Sequence, residues 1–357
     1  MFDHLAPAMR RALAATRASN LTEATRLLQE ALTGKPPQRT EDAPPPQARQ
    51  RRSLGETITA LRKQADFRQT AQTHVPATPE GCAFLHRTIV ASSGTRDYRL
   101  FVPSSAKPRG LIVMLHGCKQ TAEDFAVGTA MNAAAEAESM LVAYPTQPHS
   151  ANSSGCWNWF RPEDQMREAG EPHILAEMTQ ALIDEYGVGT RVYIAGLSAG
   201  GAMAAIMGAT YPELYQAIGI HSGLPYRAAH DVPSAFAAMR GSQRGKSVPT
   251  LPRQIIFHGT QDHTVVPANA TRLLENARLG QDGVQLLEQQ FTSGSRHVTH
   301  TEVLTEGGTL QAEAWLVAGG GHHWFGGDSS GSFAKPEGPN ASREMMRFFL
   351  GRRRDIA

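Results

Sequence analysis

The sequence predicts an α/β fold, a mostly parallel central sheet with helices on both faces. Three observations predict it. From about residue 82 onward, strand-like and helix-like runs alternate at βα spacing. Several of the strands are continuous apolar runs, Leu111-Ile112-Val113-Met114-Leu115 above all, as expected where both faces of a strand are covered. One β-type run, residues 191–195, leads straight into Gly196-Leu197-Ser198-Ala199-Gly200 and then an Ala-rich helical stretch. The 357 residues and 41% hydrophobic content suffice for one large domain and a smaller appendage.

Taken in chain order, residues 1–34 read as a helical segment. Asn20 serves as N-cap with Glu23 at the capping-box position, ahead of the stripe Leu21, Ala24, Leu27, Leu28, Ala31 and Leu32. Gly34 and Pro36 end it. Residues 35–52, proline-rich and basic, have linker composition, and 53–81 form a lead-in with a short helix over 54–67. The α/β domain is expected over 82–351, followed by the basic tail 352–357. Residues 84–90 and 97–102 are read as a leading antiparallel pair. Buried strands are expected at 111–115, 140–144, 192–195, 217–221, 254–258 and 312–317. Helices are expected at 122–138, 174–186, 199–210, 269–279 and 341–350. In such sheets the active site lies at the carboxyl ends of the strands.

The Gly-x-Ser-x-Gly turn is the setting a nucleophilic serine needs. It lifts the Ser198 hydroxyl out of the sheet and puts it at a helix N-terminus, where free N–H groups favour an oxyanion. A serine nucleophile needs a base, and the base an orienting acid. Asp262 is the leading acid, in the loop just after strand 254–258; its alternative role is a turn cap, and His263 is read as a loop residue. The base is expected after the last strand, where Gly319, Gly320 and Gly321 precede two histidines; His322 is preferred and His323 is the second choice. A zinc site on this histidine pair lacks an accompanying carboxylate or cysteine set, so no metal or other cofactor is expected. The oxyanion donors are assigned to the backbone N–H groups of Ala199 and of Cys118, the latter in the loop after Leu115.

Five segments together resemble the polyhydroxybutyrate depolymerase-type esterases, relatives of feruloyl and acetylxylan esterases. They are 115–120 (Leu-His-Gly-Cys-Lys-Gln), 156–160 (Cys-Trp-Asn-Trp-Phe), 196–203, His221-Ser222-Gly223, and Gly321-His322-His323-Trp324. The resemblance covers about residues 82–350 and implies an α/β-hydrolase fold with Ser198, Asp262 and His322 as the triad. It implies a disulfide between Cys118 and Cys156, a pairing the residues by themselves leave open. It implies further that Trp157, Trp159 and Trp324 line the acyl cleft; from their places at strand ends, Tyr144 is read at its border and His221–Gly223 in its floor. His323 stands where that family commonly has alanine. The expected activity is a serine carboxylesterase acting on short hydroxyalkanoate esters or oligomers, with a feruloyl or acetylxylan esterase as the alternative. A serine peptidase would need a gating domain for which this length leaves no room.

Bulk properties set the partners. A formal net charge of +2 gives no sign of a nucleic-acid partner, although residues 1–72 hold 12 Lys/Arg against 7 Asp/Glu and the remainder 23 against 26. The expected partner is the ester itself, small or oligomeric, with a polyester surface as an extension. No run approaches the ~18–20 apolar residues of a membrane span. The start Met1-Phe2-Asp3-His4-Leu5 lacks the pattern of a secretory signal, which favours the cytoplasm.

Overall fold

The computed structural model describes residues 75–354 apart from 247, 249 and 280–282. The expected helices over 1–34 and 54–67, the linker 35–52 and the last residues of the basic tail lie outside the described residues. The leading pair is β1 (Ala83–Ala91) and β2 (Gly94–Val102), antiparallel across a tight turn. Then follow β3 (Gly110–Leu115), β4 (Met140–Pro145), β5 (Val192–Leu197), β6 (Ala217–His221), β7 (Arg253–Gly259), and β10 (Leu310–Val317) after the hairpin of β8 (Gln285–Ser293) and β9 (Arg296–Leu304). All ten join one sheet in the order β1-β2-β4-β3-β5-β6-β7-β10-β9-β8. The block from β4 to β10 is parallel, and antiparallel strands extend it at both ends.

Side-chain alternation along the buried strands supplies both faces at once. In β3, Leu111, Val113 and Leu115 enter one apolar cluster while Ile112 and Met114 enter the other. The first cluster is roofed by α3 (Gly170–Tyr186), α4 (Ala199–Thr210), α5 (Val232–Met239) and α6 (Ala268–Arg278). The second is roofed by α1 (Ala122–Thr129), α2 (Met131–Ala137) and α7 (Ala341–Phe349). This is the α/β-hydrolase arrangement.

Two departures from the expected elements have tertiary causes. The single helix expected over 122–138 breaks at Ala130, which is left-handed at φ 51°. The carbonyl of Gly128 accepts instead from the Asp328 N–H (2.9 Å), so a distant loop takes the acceptor that would continue the helix. The β8–β9 hairpin was not expected at all. It turns at Gly294 (φ 57°) and pairs with β10, and its solvent-facing residues give no apolar run. A short parallel pair, β11 (Trp324–Phe325) and β12 (Ala334–Lys335), follows the base loop.

Candidate active site

The parallel strands end in register, which brings distant loops to one edge. Leu115 pairs with Gly196, Leu197 with His221, His221 with Phe257, and Gly259 with Val317. Each candidate residue lies in the loop that follows one of these ends.

Ser198 sits between β5 and α4 at φ 58°, ψ −117°, a conformation costly for a residue with a Cβ. Glycine is required just after it. A Cβ on Gly200 would come within 2.0 Å of the Leu115 carbonyl oxygen, so the elbow can press on the end of β3 only there. The Ser198 N–H donates to the His221 carbonyl (2.8 Å), and its side chain does not cap α4. Among the hydrogen bonds of the described residues none joins the Ser198 hydroxyl to His322; catalytic contacts often tighten only on substrate binding.

Asp262 and His322 are joined. Asp262 Oδ2 accepts from His322 Nδ1 at 2.7 Å, while Oδ1 accepts from the N–H groups of Thr264 (3.0 Å) and Val265 (2.9 Å). Burial pushes the Asp262 carboxyl up, but the His322 bond and charge, the Val265 N–H and nearby His258 together hold it below the usual carboxylate range. It therefore stays ionised, with Nδ1–H of His322 pointed at it and Nε2 left for chemistry. Of the two adjacent histidines, only His322 makes this bond; His323 turns toward Glu337, its Nε2 3.9 Å from Oε1. The acid and base loops are laced together by Gln261 N–H to Gly320 O (2.8 Å) and Gly319 N–H to the Thr260 hydroxyl (2.9 Å). His263 lies beside this site without entering the pair.

The loop that carries Cys118 is held on both sides. Gln120 accepts from the Gly117 N–H (2.9 Å) and donates to the Ser332 carbonyl (2.8 Å). A disulfide joins Cys118 to Cys156 and so ties this loop to the one that follows β4. The Cys118 N–H has no backbone acceptor among the described residues, and Ala199 begins α4, where no intrahelical acceptor exists for its N–H.

The aromatic side chains expected at the acyl cleft are all buried in this structure. Trp157 is fully buried and its indole N–H donates to the His116 carbonyl (3.1 Å), bracing the oxyanion loop from behind. Trp324 is buried against Phe125 and donates to the Ser342 hydroxyl (3.1 Å). Tyr144 is buried with its hydroxyl on Asn132 Oδ1 (2.7 Å), and Trp159 keeps only 6% of its surface. Large rings of this kind fill the space under the loops, where burial of their area gains most.

His221, expected only as floor, has a larger part. Its ring accepts from the Phe325 N–H (3.3 Å) while its own carbonyl holds Ser198, so one residue binds both the elbow and the base loop. The ring stacks between Phe257 (5.7 Å) and Trp324 (4.9 Å). Burial, reinforced by His258, His323 and His322, drives its pKa far down, so it remains a neutral acceptor. His258 was missed. Fully buried at the end of β7, it donates Nε2–H to the Val265 carbonyl (2.7 Å) and shapes the turn that presents Asp262. A histidine closing an apolar strand just before Gly259-Thr260-Gln261-Asp262 was the available signal.

The esterase PHB depolymerase family model matches residues 96–284, which include Cys118, Cys156, Ser198 and Asp262. The chain belongs to this family. Among esterase PHB depolymerase relatives, poly(3-hydroxyalkanoate) depolymerase C of Paucimonas lemoignei is 32% identical over 256 residues, 66% of this chain and 61% of that protein. A probable acetylxylan esterase A of Aspergillus fumigatus is 29% identical, with 50% of this chain and 53% of that protein covered. Feruloyl esterase B of Neurospora crassa is 31% identical, with 54% and 74% covered. The chain thus spans between half and two thirds of the length of the first two. An acetyl xylan esterase structure from Aspergillus awamori superposes with a TM-score of 0.53 at 20% identity, covering 67% of this chain and 94% of that one, a likeness of fold. No described helix is long and apolar enough to cross a membrane.

Proposed function

We propose that the chain is a serine carboxylesterase that cleaves short-chain hydroxyalkanoate esters or oligomers through an acyl-enzyme intermediate. The observation that carries this reading is the 2.7 Å bond between His322 and Asp262, at the same sheet edge as the strained Ser198 elbow. His322 takes the Ser198 proton as the hydroxyl attacks the ester carbonyl. Asp262 holds the imidazole in the Nδ1–H tautomer and stabilises the imidazolium. The N–H groups of Cys118 and Ala199 receive the oxyanion, each donor worth ~2.7–4 kcal/mol in the transition state. The imidazolium then protonates the departing alkoxide, and water releases the acyl group by the reverse route. Every step uses groups of the chain itself.

The depolymerase name of the Paucimonas relative supports the hydroxyalkanoate substrate. The acetylxylan and feruloyl esterase names of the other relatives favour a second reading, an aryl or acetyl esterase with the same mechanism. The test is hydrolysis of one panel by wild type and Ser198→Ala, holding short p-nitrophenyl esters, hydroxybutyrate oligomers, methyl ferulate and acetylated xylan. Loss of the serine is expected to lower kcat by about 10³-fold or more. A serine-dependent preference for the oligomers supports the first reading, and one for ferulate or acetylxylan the second. Turnover that survives Ser198→Ala would sink both.

A further inference from the structure

A cavity of about 460 Å³ opens beside His322; neither Ser198 nor the Cys118 loop is among the residues that line it. Its charged wall comes from Arg296 at the start of β9, Lys335 at the end of β12, and Glu337. Arg296 bonds Glu337 Oε2 through Nε (3.1 Å) and Nη2 (2.5 Å), and Lys335 Nζ lies 3.6 Å from Glu337 Oε1. Two fixed cations therefore share one carboxylate, which leaves the wall with a net positive charge. The arrangement also has unused donors. The hydrogen bonds of Arg296 among the described residues use Nε and Nη2 and leave Nη1 over, and His323, 6% exposed, lines the cavity with no hydrogen bond at its Nε2, which lies 3.9 Å from Glu337 Oε1. Gly319 makes room for the guanidinium, since a Cβ there would come within 2.7 Å of Nη1.

The cavity's place beside the base says which part of a substrate would meet it. His322 hands its proton to the leaving oxygen, so the leaving alcohol lies on the His322 side. The candidate substrates differ there. An oligomer of a hydroxyacid departs as an alcohol whose chain ends in a carboxylate, whereas methyl ferulate releases methanol and acetylated xylan a neutral sugar. We propose that this cavity is a carboxylate subsite, binding the free acid end of the leaving hydroxyacid through Arg296 and Lys335. It makes the enzyme selective for short, carboxylate-terminated hydroxyesters. The ester C–O bond breaks as before, His322 protonates the hydroxyacid oxygen, and the carboxylate stays ionised throughout. This inference rests on the esterase reading of the same site.

The experiment compares two substrates with the same acyl group and the same leaving hydroxyl. One is the dimer of 3-hydroxybutyrate with its acid end free; the other is the methyl ester of that dimer. The ratio of kcat/KM, acid over methyl ester, is measured for wild type, Lys335→Glu and Glu337→Gln at low and at high salt. Wild type is expected to prefer the acid, and added salt to shrink the preference. Lys335→Glu, a half-exposed position that can tolerate the change, is expected to lower the ratio by about threefold to tenfold. Glu337→Gln, which removes the opposing charge, is expected to raise it. An active wild type that treats the two substrates alike, or prefers the methyl ester, overturns the subsite and leaves the esterase reading standing. Failure of Ser198→Ala to abolish hydrolysis of either substrate overturns the esterase reading and the subsite with it.

Discussion

His221 makes a test at the scale of one residue. Its ring nitrogen is the acceptor for the buried Phe325 N–H, one turn of loop beyond the base, and its carbonyl fixes Ser198. Removing the ring acceptor strands a buried donor at a cost of about 1–3 kcal/mol and loosens the base loop. Misplacing a catalytic group by about 1 Å can cost 10²-fold in rate. His221→Phe is therefore expected to lower kcat by at least about tenfold while KM changes little, with His221→Gln recovering part of the loss. Steady-state kinetics of the two variants decide it. Unchanged kcat, or a loss confined to KM, would show that His221 does not position the base. As a positioning residue it never meets substrate.

At the scale of elements, the loop after β4 is held by an unusual acid. Glu171, near the start of α3, accepts from the Asn158 N–H (2.8 Å) and Asn158 Nδ2 (2.7 Å), and from Gln147 Nε2. Burial, with the charge of Asp164 beside it, pushes its carboxyl up to about 7 against those donors. The folded chain thus keeps a proton that the unfolded chain gives up above about 4.5. Between these values the native state binds more protons, so stability falls as pH rises, by up to about 3 kcal/mol once pH exceeds 7. Thermal melts between pH 4.5 and 8 should show this decline in wild type and a flatter profile in Glu171→Gln. Parallel profiles would remove Glu171 as the cause. Because Asn158 lies between Trp157 and Trp159, this acid anchors the segment that backs the oxyanion loop.

For the whole molecule, the candidate catalytic groups and the contacts that brace them fall within the described α/β unit, between His116 and Ser342. Removal of residues 1–72 is expected to leave hydrolysis of a soluble ester unchanged. A rate on polymer film that falls alone would mark the N-terminal segment as a surface attachment; equal loss on both would mean that the segment supports the catalytic unit itself. Across the same unit, tertiary demands explain which expectations held. The apolar strands were legible because burial on both faces leaves continuous runs such as 111–115. The β8–β9 hairpin was not, because one face meets solvent and its residues are chosen for pairing with β10. The break at Ala130 was hidden for a related reason, since the acceptor is drawn off by a loop two hundred residues away.

Local sequence was enough for the Gly-x-Ser-x-Gly turn at Ser198, the chain order of Ser198, Asp262 and His322, and the alternating architecture. Each of these is a local pattern with a local physical cause: glycines at a sharp turn, period-two burial, a helix that begins on the serine. Only the tertiary structure decided which histidine bonds Asp262, because the choice between His322 and His323 depends on where a glycine-rich loop crosses β7. It also buried Trp157, Trp324 and Tyr144 and brought Arg296 and Lys335 together beside His322. Those outcomes come from contacts between residues far apart in the chain, and composition and spacing carry no record of such contacts.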